Sequence, residues 1–130
     1  MNIQDNYLTL ADGQQMPQEG FGLYKVDGKD TMTAAIQHAF EDGYRLFDTA
    51  QLYGNEAEVG TALKQLALPR DEIFVTTKVA EENQGYNRAI ASVKESLQKL
   101  QLDYVDLLLV HWPIERSFFE TWRAFEDMKK

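Results

Sequence analysis

Apolar and polar positions along the chain follow two periods in turn, and the alternation between them recurs about every 30 residues, the size of one strand–helix module. Two short extended pieces in "YLTLADGQQMP" flank Asp12-Gly13, a turn dipeptide, so residues 1–18 are expected to form a β-hairpin. After "GFGLYKV" the period lengthens. Met32, Ala35, Ile36, Ala39 and Phe40 recur at helical spacing, and Gly43 is placed to stop that helix. "YRLFDT" reads as a strand. Asn55 and Glu58 form a candidate capping pair for a helix striped by Val59, Ala62, Leu63 and Leu66. "EIFVTTK" is a β-branched strand, followed by a helical stripe of Tyr86, Ile90, Val93, Leu97 and Leu100. "YVDLLLVHW" is apolar enough to be expected between two covering layers. Phe118, Trp122 and Phe125 begin a fourth helix, with Trp122 expected in the core. Residues 19–130 thus predict four βα units with a parallel sheet and right-handed crossovers.

Composition narrows the class. The chain has 130 residues, 44% hydrophobic and 26% charged, as expected of a globular domain. It has no cysteine, so neither a disulfide framework nor a thiolate metal site is expected, and a cytoplasmic setting follows. The longest strongly apolar run, 105–110, is broken by Asp106 and too short to span a bilayer; "MNIQDNYLTL" lacks the pattern of a signal peptide. Thirteen basic against 21 acidic residues give a net charge of −8, which argues against nucleic acid as a partner. An anionic cofactor stays compatible, because a cleft can carry its own local field.

The candidate chemistry sits where strands end. Gly22, Asp48, Lys78 and His111 each fall where one of the four strands gives way to a loop, and Tyr53 lies five residues beyond Asp48. In parallel α/β sheets, ligands bind at those ends, and neighbouring strands lie about 4.8 Å apart. Asp48, Tyr53, Lys78 and His111 are therefore expected to converge. A free phenol is a reluctant acid at neutral pH; an ammonium beside it favours the phenolate, and a carboxylate can hold that ammonium in place. A histidine can hydrogen-bond a substrate oxygen. The set suits proton delivery to a carbonyl oxygen by Tyr53, and since no side chain supplies a hydride, a nicotinamide is implied. Each residue alone has an ordinary structural reading as a loop cap, a packed ring or a solvated lysine; the argument rests on the four together. Competing motifs are poorer. "GFGLYK" lacks the third glycine of a dinucleotide fingerprint, and His38 and His111 alone make poor metal ligands.

"GFGLYKV", "GYRLFDTAQLYGNEAEVG", "VTTKV" and "LDYVDLLLVHWP" resemble the aldo-keto reductases, and among them the small bacterial reductases of diketogluconate or methylglyoxal type. The resemblance implies the first half of an eight-stranded TIM-type barrel with a hairpin at its base, and NADPH-dependent reduction of a small aldehyde or ketone. It implies Tyr53 as proton donor, Lys78 as the group lowering its pKa, Asp48 as partner of Lys78, and His111 orienting the carbonyl. Gly22, Leu23, Tyr24 and Asp48 match cofactor contacts. Tyr24, His111 and Trp112 match substrate contacts. Ala80 stands where many relatives have tryptophan, and Leu23 where threonine is common. A full barrel of this type takes roughly 250 residues, so the aromatic that stacks on the nicotinamide and the basic residues for its 2′-phosphate would lie in a second half. Four strands taken alone have two open edges, so self-association through them is expected. The alternative reading is a catalytically inactive half-barrel or interaction module.

Overall fold

A computed structural model describes residues 6–129. The part of the hairpin expectation that falls on residues 1–5 lies outside them. The hairpin itself forms: β1 (Tyr7–Thr9) pairs antiparallel with β2 (Gln15–Pro17) around a turn in which Gly13 has φ of 88°. Then come β3 (Gly20–Gly22), α1 (Lys29–Glu41), β4 (Leu46–Asp48), α2 (Glu56–Gln65), β5 (Phe74–Val79), α3 (Tyr86–Leu100), β6 (Leu107–Val110) and α4 (Phe118–Lys129). Strands β3 to β6 form one parallel sheet in chain order. A parallel sheet in sequential order has its crossover helices on one side, and here each helix packs on the next.

Side chains alternate accordingly. Phe47 and Val75 enter a buried cluster with Met32, Ile36, Val59 and Leu100. Val79, Leu108 and Val110 pack with Ala89, Val93 and Phe125 of α3 and α4. The opposite sheet face carries the alternate residues, Leu46, Asp48, Thr76, Lys78, Leu107 and Leu109. Two glycines are required where they stand. Gly43 adopts φ of 106° after the last turn of α1, and a Cβ on Gly60 would run into the backbone of Lys99 and Leu100, so α2 and α3 meet there backbone to backbone. The hairpin lies under the N-terminal strand ends, where Tyr7, Gln15 and Pro17 face Arg45, Phe74 and Asp106 across a cavity of about 490 Å³. Arg70 and Asp106 brace that end at 2.7 Å, and Asp106 also accepts the amide of Val75.

Three expectations are corrected. Trp122 is not in the core: it is 58% exposed, and α4 turns Thr121, Ala124 and Phe125 inward instead. The small Thr121 and Ala124 let α4 approach α3, and Thr121 Oγ1 accepts the amide of Gly85 at 2.9 Å. The fourth strand is not covered on both faces. It spans only four residues, its inward Leu109 is 38% exposed, and it forms an edge of the sheet. Asn55 occupies the N-cap of α2, but its side chain makes no cap hydrogen bond, and Glu58 Oε2 is buried without a partner among the described residues.

Candidate active site

Register explains how the polar residues meet. Asp48 lies opposite Thr76 across the β4–β5 ladder, and Lys78, two residues further along β5, points to the same face. Its ammonium therefore rises beside the Asp48 carboxylate. Lys78 Nζ donates to Asp48 Oδ2 at 2.9 Å, and the two side chains are 14% and 30% exposed. A 3₁₀ turn, Gln51–Tyr53, follows β4 and folds back over the strand tips, helped by Gly54 at φ of 68°. It brings the Tyr53 phenol onto the same ammonium: Lys78 Nζ donates to Tyr53 Oη at 2.9 Å. A third contact to the carbonyl of Thr49, at 3.4 Å, fills the lysine's donor set.

The electrostatics agree with this geometry. Burial alone would pull the Lys78 pKa down; its hydrogen bonds with Tyr53 and Asp48 and the Asp48 charge outweigh that, and the net direction is upward. The ammonium is therefore held charged at neutral pH, next to the phenol.

His111 begins the loop after β6, anchored by its amide to the carbonyl of Val79. Its ring meets the edge of Tyr53 with centroids 5.8 Å apart and stacks on Trp112 at 6.2 Å. Its Nδ1 is buried with no hydrogen-bond partner among the described residues. Trp112, 58% exposed, is held by its carbonyl, which accepts the Gln84 amide. On the other side Tyr24 covers Tyr53 edge-on at 5.0 Å and is 61% exposed. Gly22 presents bare backbone, since a Cβ there would touch nothing within 4 Å.

The structure thus brings Asp48, Tyr53, Lys78, His111, Tyr24 and Trp112 to one end of the sheet. Leu23 is placed elsewhere. Its side chain is fully buried in the core, its amide donates to the Asp48 carbonyl, and its carbonyl accepts Asn55. Its chemistry is spent on holding the first loop, because an apolar residue at a strand end is drawn inward. The cavity under the hairpin lies at the opposite end of the strands and is lined by none of these residues.

The sequence profile of the Aldo/keto reductase family matches residues 20–130. The chain belongs to this family. It is 43% identical over 123 residues to the glyoxal reductase of Bacillus subtilis, covering 95% of this chain and 45% of that protein. The structure superposes on an aldo/keto reductase from Brucella melitensis with a TM-score of 0.88 at 42% identity, over 95% of this chain and 48% of that one. It also superposes on the aldo-keto reductase of Bombyx mori in complex with NADP, with a TM-score of 0.81 and 32% identity, over 98% of this chain and 47% of that one. The chain spans about half the length of the relatives it matches. Its sheet is accordingly the open counterpart of part of a closed α/β barrel. No helix among the described residues is long and apolar enough to cross a membrane.

The sequence reading missed Gln51 and took Asn55 only for a helix cap; both have every side-chain polar atom engaged. Their signal was position, two residues to either side of Tyr53, inside a stretch too polar to be an ordinary core turn.

Proposed function

We propose that this chain carries the proton-donating half of a cytoplasmic carbonyl reductase that uses NADPH to convert a small aldehyde or ketone to an alcohol. The observation that carries the reading is the unbroken hydrogen-bonded line from Asp48 through Lys78 to Tyr53, 2.9 Å at each step. The residues present fit the nicotinamide end of such a cofactor. Gly22 offers uncovered backbone at a strand tip, Tyr24 an exposed ring and Asp48 a partly exposed carboxylate, and these would hold it. The bound nicotinamide would supply the hydride, and with it the two electrons of the reduction, to the carbonyl carbon.

The side chains of this chain account for the rest. Tyr53 Oη releases its proton to the carbonyl oxygen as negative charge builds there, and that oxygen, still bonded to carbon, becomes the hydroxyl of the alcohol. Lys78 lies against Tyr53 Oη and stabilises the phenolate left behind. Asp48 fixes the ammonium from the other side and balances its charge. His111 lies beside Tyr53; its Nδ1 is buried, so Nε2 is the nitrogen that would orient the carbonyl oxygen towards the phenol. Tyr24 and Trp112 flank this point as apolar walls. The balance is one carbonyl, one hydride and one proton giving one alcohol, with water or another acid reprotonating Tyr53.

The test is Tyr53→Phe in a complete barrel, meaning this chain together with a second half-barrel of the kind its relatives carry. Only the phenolic oxygen is lost. Carbonyl reduction should fall by about 10²–10⁴-fold, while cofactor binding stays near that of the parent. Full activity in Tyr53→Phe would remove Tyr53 from the role of acid.

A further inference from the structure

The turn that carries Tyr53 is bolted to the strand that carries Lys78 by a partly buried polar network on the far side of the sheet. Gln51 is its hub. Its Oε1 accepts the backbone amide of Ala80 at 2.9 Å and Asn83 Nδ2 at 2.8 Å. Its Nε2 donates to Ser92 Oγ and Ser96 Oγ, each at 3.1 Å. All four bonding positions of the amide are used. Their directions are fixed without ambiguity. A backbone N–H can only donate, so Oε1 must face Ala80. The Ser92 proton goes to the Ala89 carbonyl and the Ser96 proton to Glu56 Oε1, which leaves both hydroxyl lone pairs for Nε2. Glu56, 4% exposed, closes the network by accepting Thr77 Oγ1 at 2.7 Å.

The spacing of these ties matters. Gln51 and Glu56 bracket Tyr53; Thr77 and Ala80 bracket Lys78. Two ties, Gln51 to Ala80 and Glu56 to Thr77, join one bracket to the other, so the turn cannot slide along β5 without breaking one part-buried and one buried hydrogen bond. The phenol–ammonium contact at 2.9 Å sits at the centre of this frame.

We propose that Gln51 is a positioning residue for the proton transfer: it holds Tyr53 at hydrogen-bond distance from Lys78 by locking its turn to the end of β5 and to α3. The proposal rests on the reading of Tyr53 as the acid. A misplacement of about 1 Å at a reacting group can cost on the order of 10²-fold in rate. Losing the hub should therefore act on kcat, because no side chain that touches substrate has changed.

Gln51→Met tests this in a complete barrel, since Met fills the same volume and makes none of the four bonds. The expected result is a fall in kcat of about 10- to 100-fold, with KM for the carbonyl changed by less than about threefold. A second readout needs no turnover. In nuclear magnetic resonance spectra, the Overhauser contact between the Tyr53 ring and the Lys78 side chain should weaken, and the Ala80 amide should lose exchange protection while that of Val79 keeps it. Should Gln51→Met fail to fold, Asn83→Ala removes one of the accepted bonds and should lower kcat in the same direction, by about two- to fivefold on the same reasoning. A kcat within twofold of the parent in the variant that folds, with an unchanged Tyr53–Lys78 contact, overturns the proposal. Tyr53→Phe run alongside separates the failures. If it stays active, the acid is misassigned, and the resonance readout still judges Gln51.

Discussion

Lys78→Met removes the ammonium and keeps most of the aliphatic stem. The consequence follows from the geometry. Two unit charges 2.9 Å apart interact by about 6 kcal/mol at an effective dielectric constant of about 20, suited to a partly buried pair. With about half a charge developed on the phenolic oxygen in the transition state, about 3 kcal/mol of stabilisation is lost. At 1.36 kcal/mol per decade that is roughly a 100-fold fall in kcat. The assay is carbonyl reduction by a complete barrel, followed through loss of reduced-nicotinamide absorbance. A complication is that Asp48 is left without its partner, and its stray charge could itself disfavour negative charge nearby. Lys78→Met combined with Asp48→Asn resolves this. If the ammonium is the working part, the double variant is as slow as the single one; if the stray carboxylate is to blame, the double variant recovers. A single variant within about threefold of the parent refutes the reasoning outright.

The remaining predictions concern pH, cofactor and assembly. Because the Lys78 pKa is raised in the folded protein, its contribution to stability is fully present below the unfolded value, about 10.4, and is lost only as pH rises through the higher folded value; melting temperatures between pH 7 and 9 should show no loss traceable to it in a comparison with Lys78→Met. Burial raises the Glu56 pKa although Thr77 and Ser96 hydrogen bonds oppose it, so its neutral form is favoured by folding. That contribution is complete below about pH 4 and is lost as pH rises, so Glu56→Gln should melt higher than the parent at pH 7 and equally near pH 4, and an equal gap at both would refute the assignment. The 130-residue chain alone should bind NADPH with a dissociation constant of about 100 µM or weaker, since about half of a closed site is present; submicromolar binding by a monomer in a fluorescence titration would contradict this. The same chain should sediment as a dimer or larger species at micromolar concentration, because β3 and β6 are open edges and Trp112, Phe119 and Trp122 are exposed; a sharp monomer mass with a cooperative melt would overturn it.

Period alone placed most elements of the fold. The stripes at Met32, Ile36 and Ala39 and at Val59, Ala62 and Leu63 are buried as helical spacing required. The fourth helix shows where period misleads. Phe118, Trp122 and Phe125 have the right spacing, yet the face that docks is Thr121, Ala124 and Phe125. Hydrophobicity ranks Trp122 first; close approach to α3 favours small residues and a hydroxyl that can accept the Gly85 amide. Side-chain size and one capping bond outweighed apolar area. The β6 expectation failed for a related reason. An apolar run states what a strand could bury, and the layer facing it is set by other parts of the chain.

The site was legible to a different degree for each of its parts, and the difference has a physical cause. Asp48 and Lys78 could be placed because a strand fixes both register and face, so their ion pair follows once β4 and β5 are neighbours. Tyr53 could be placed only by chemistry: a turn has no period, and nothing in "AQLYGN" says which way its ring points. What aims it is Gln51 and Asn55, whose amides reach in opposite directions. Gln51 grips β5 and α3, while Asn55 accepts Thr49 Oγ1 at 2.9 Å and donates to the Leu23 and Val26 carbonyls at 2.8 and 3.2 Å. Through Asn55 the same turn also fixes the first loop, and so the Tyr24 ring that leans on Tyr53. A polar residue that reads as solvated in sequence becomes, once 2% exposed and fully bonded, the most constrained kind of residue in the interior. Tyr53 and Tyr24 are thereby tied to one short turn, and a shift of that turn would move both. The geometry of the proposed site therefore depends as much on two uncharged amides as on the charged pair beside them.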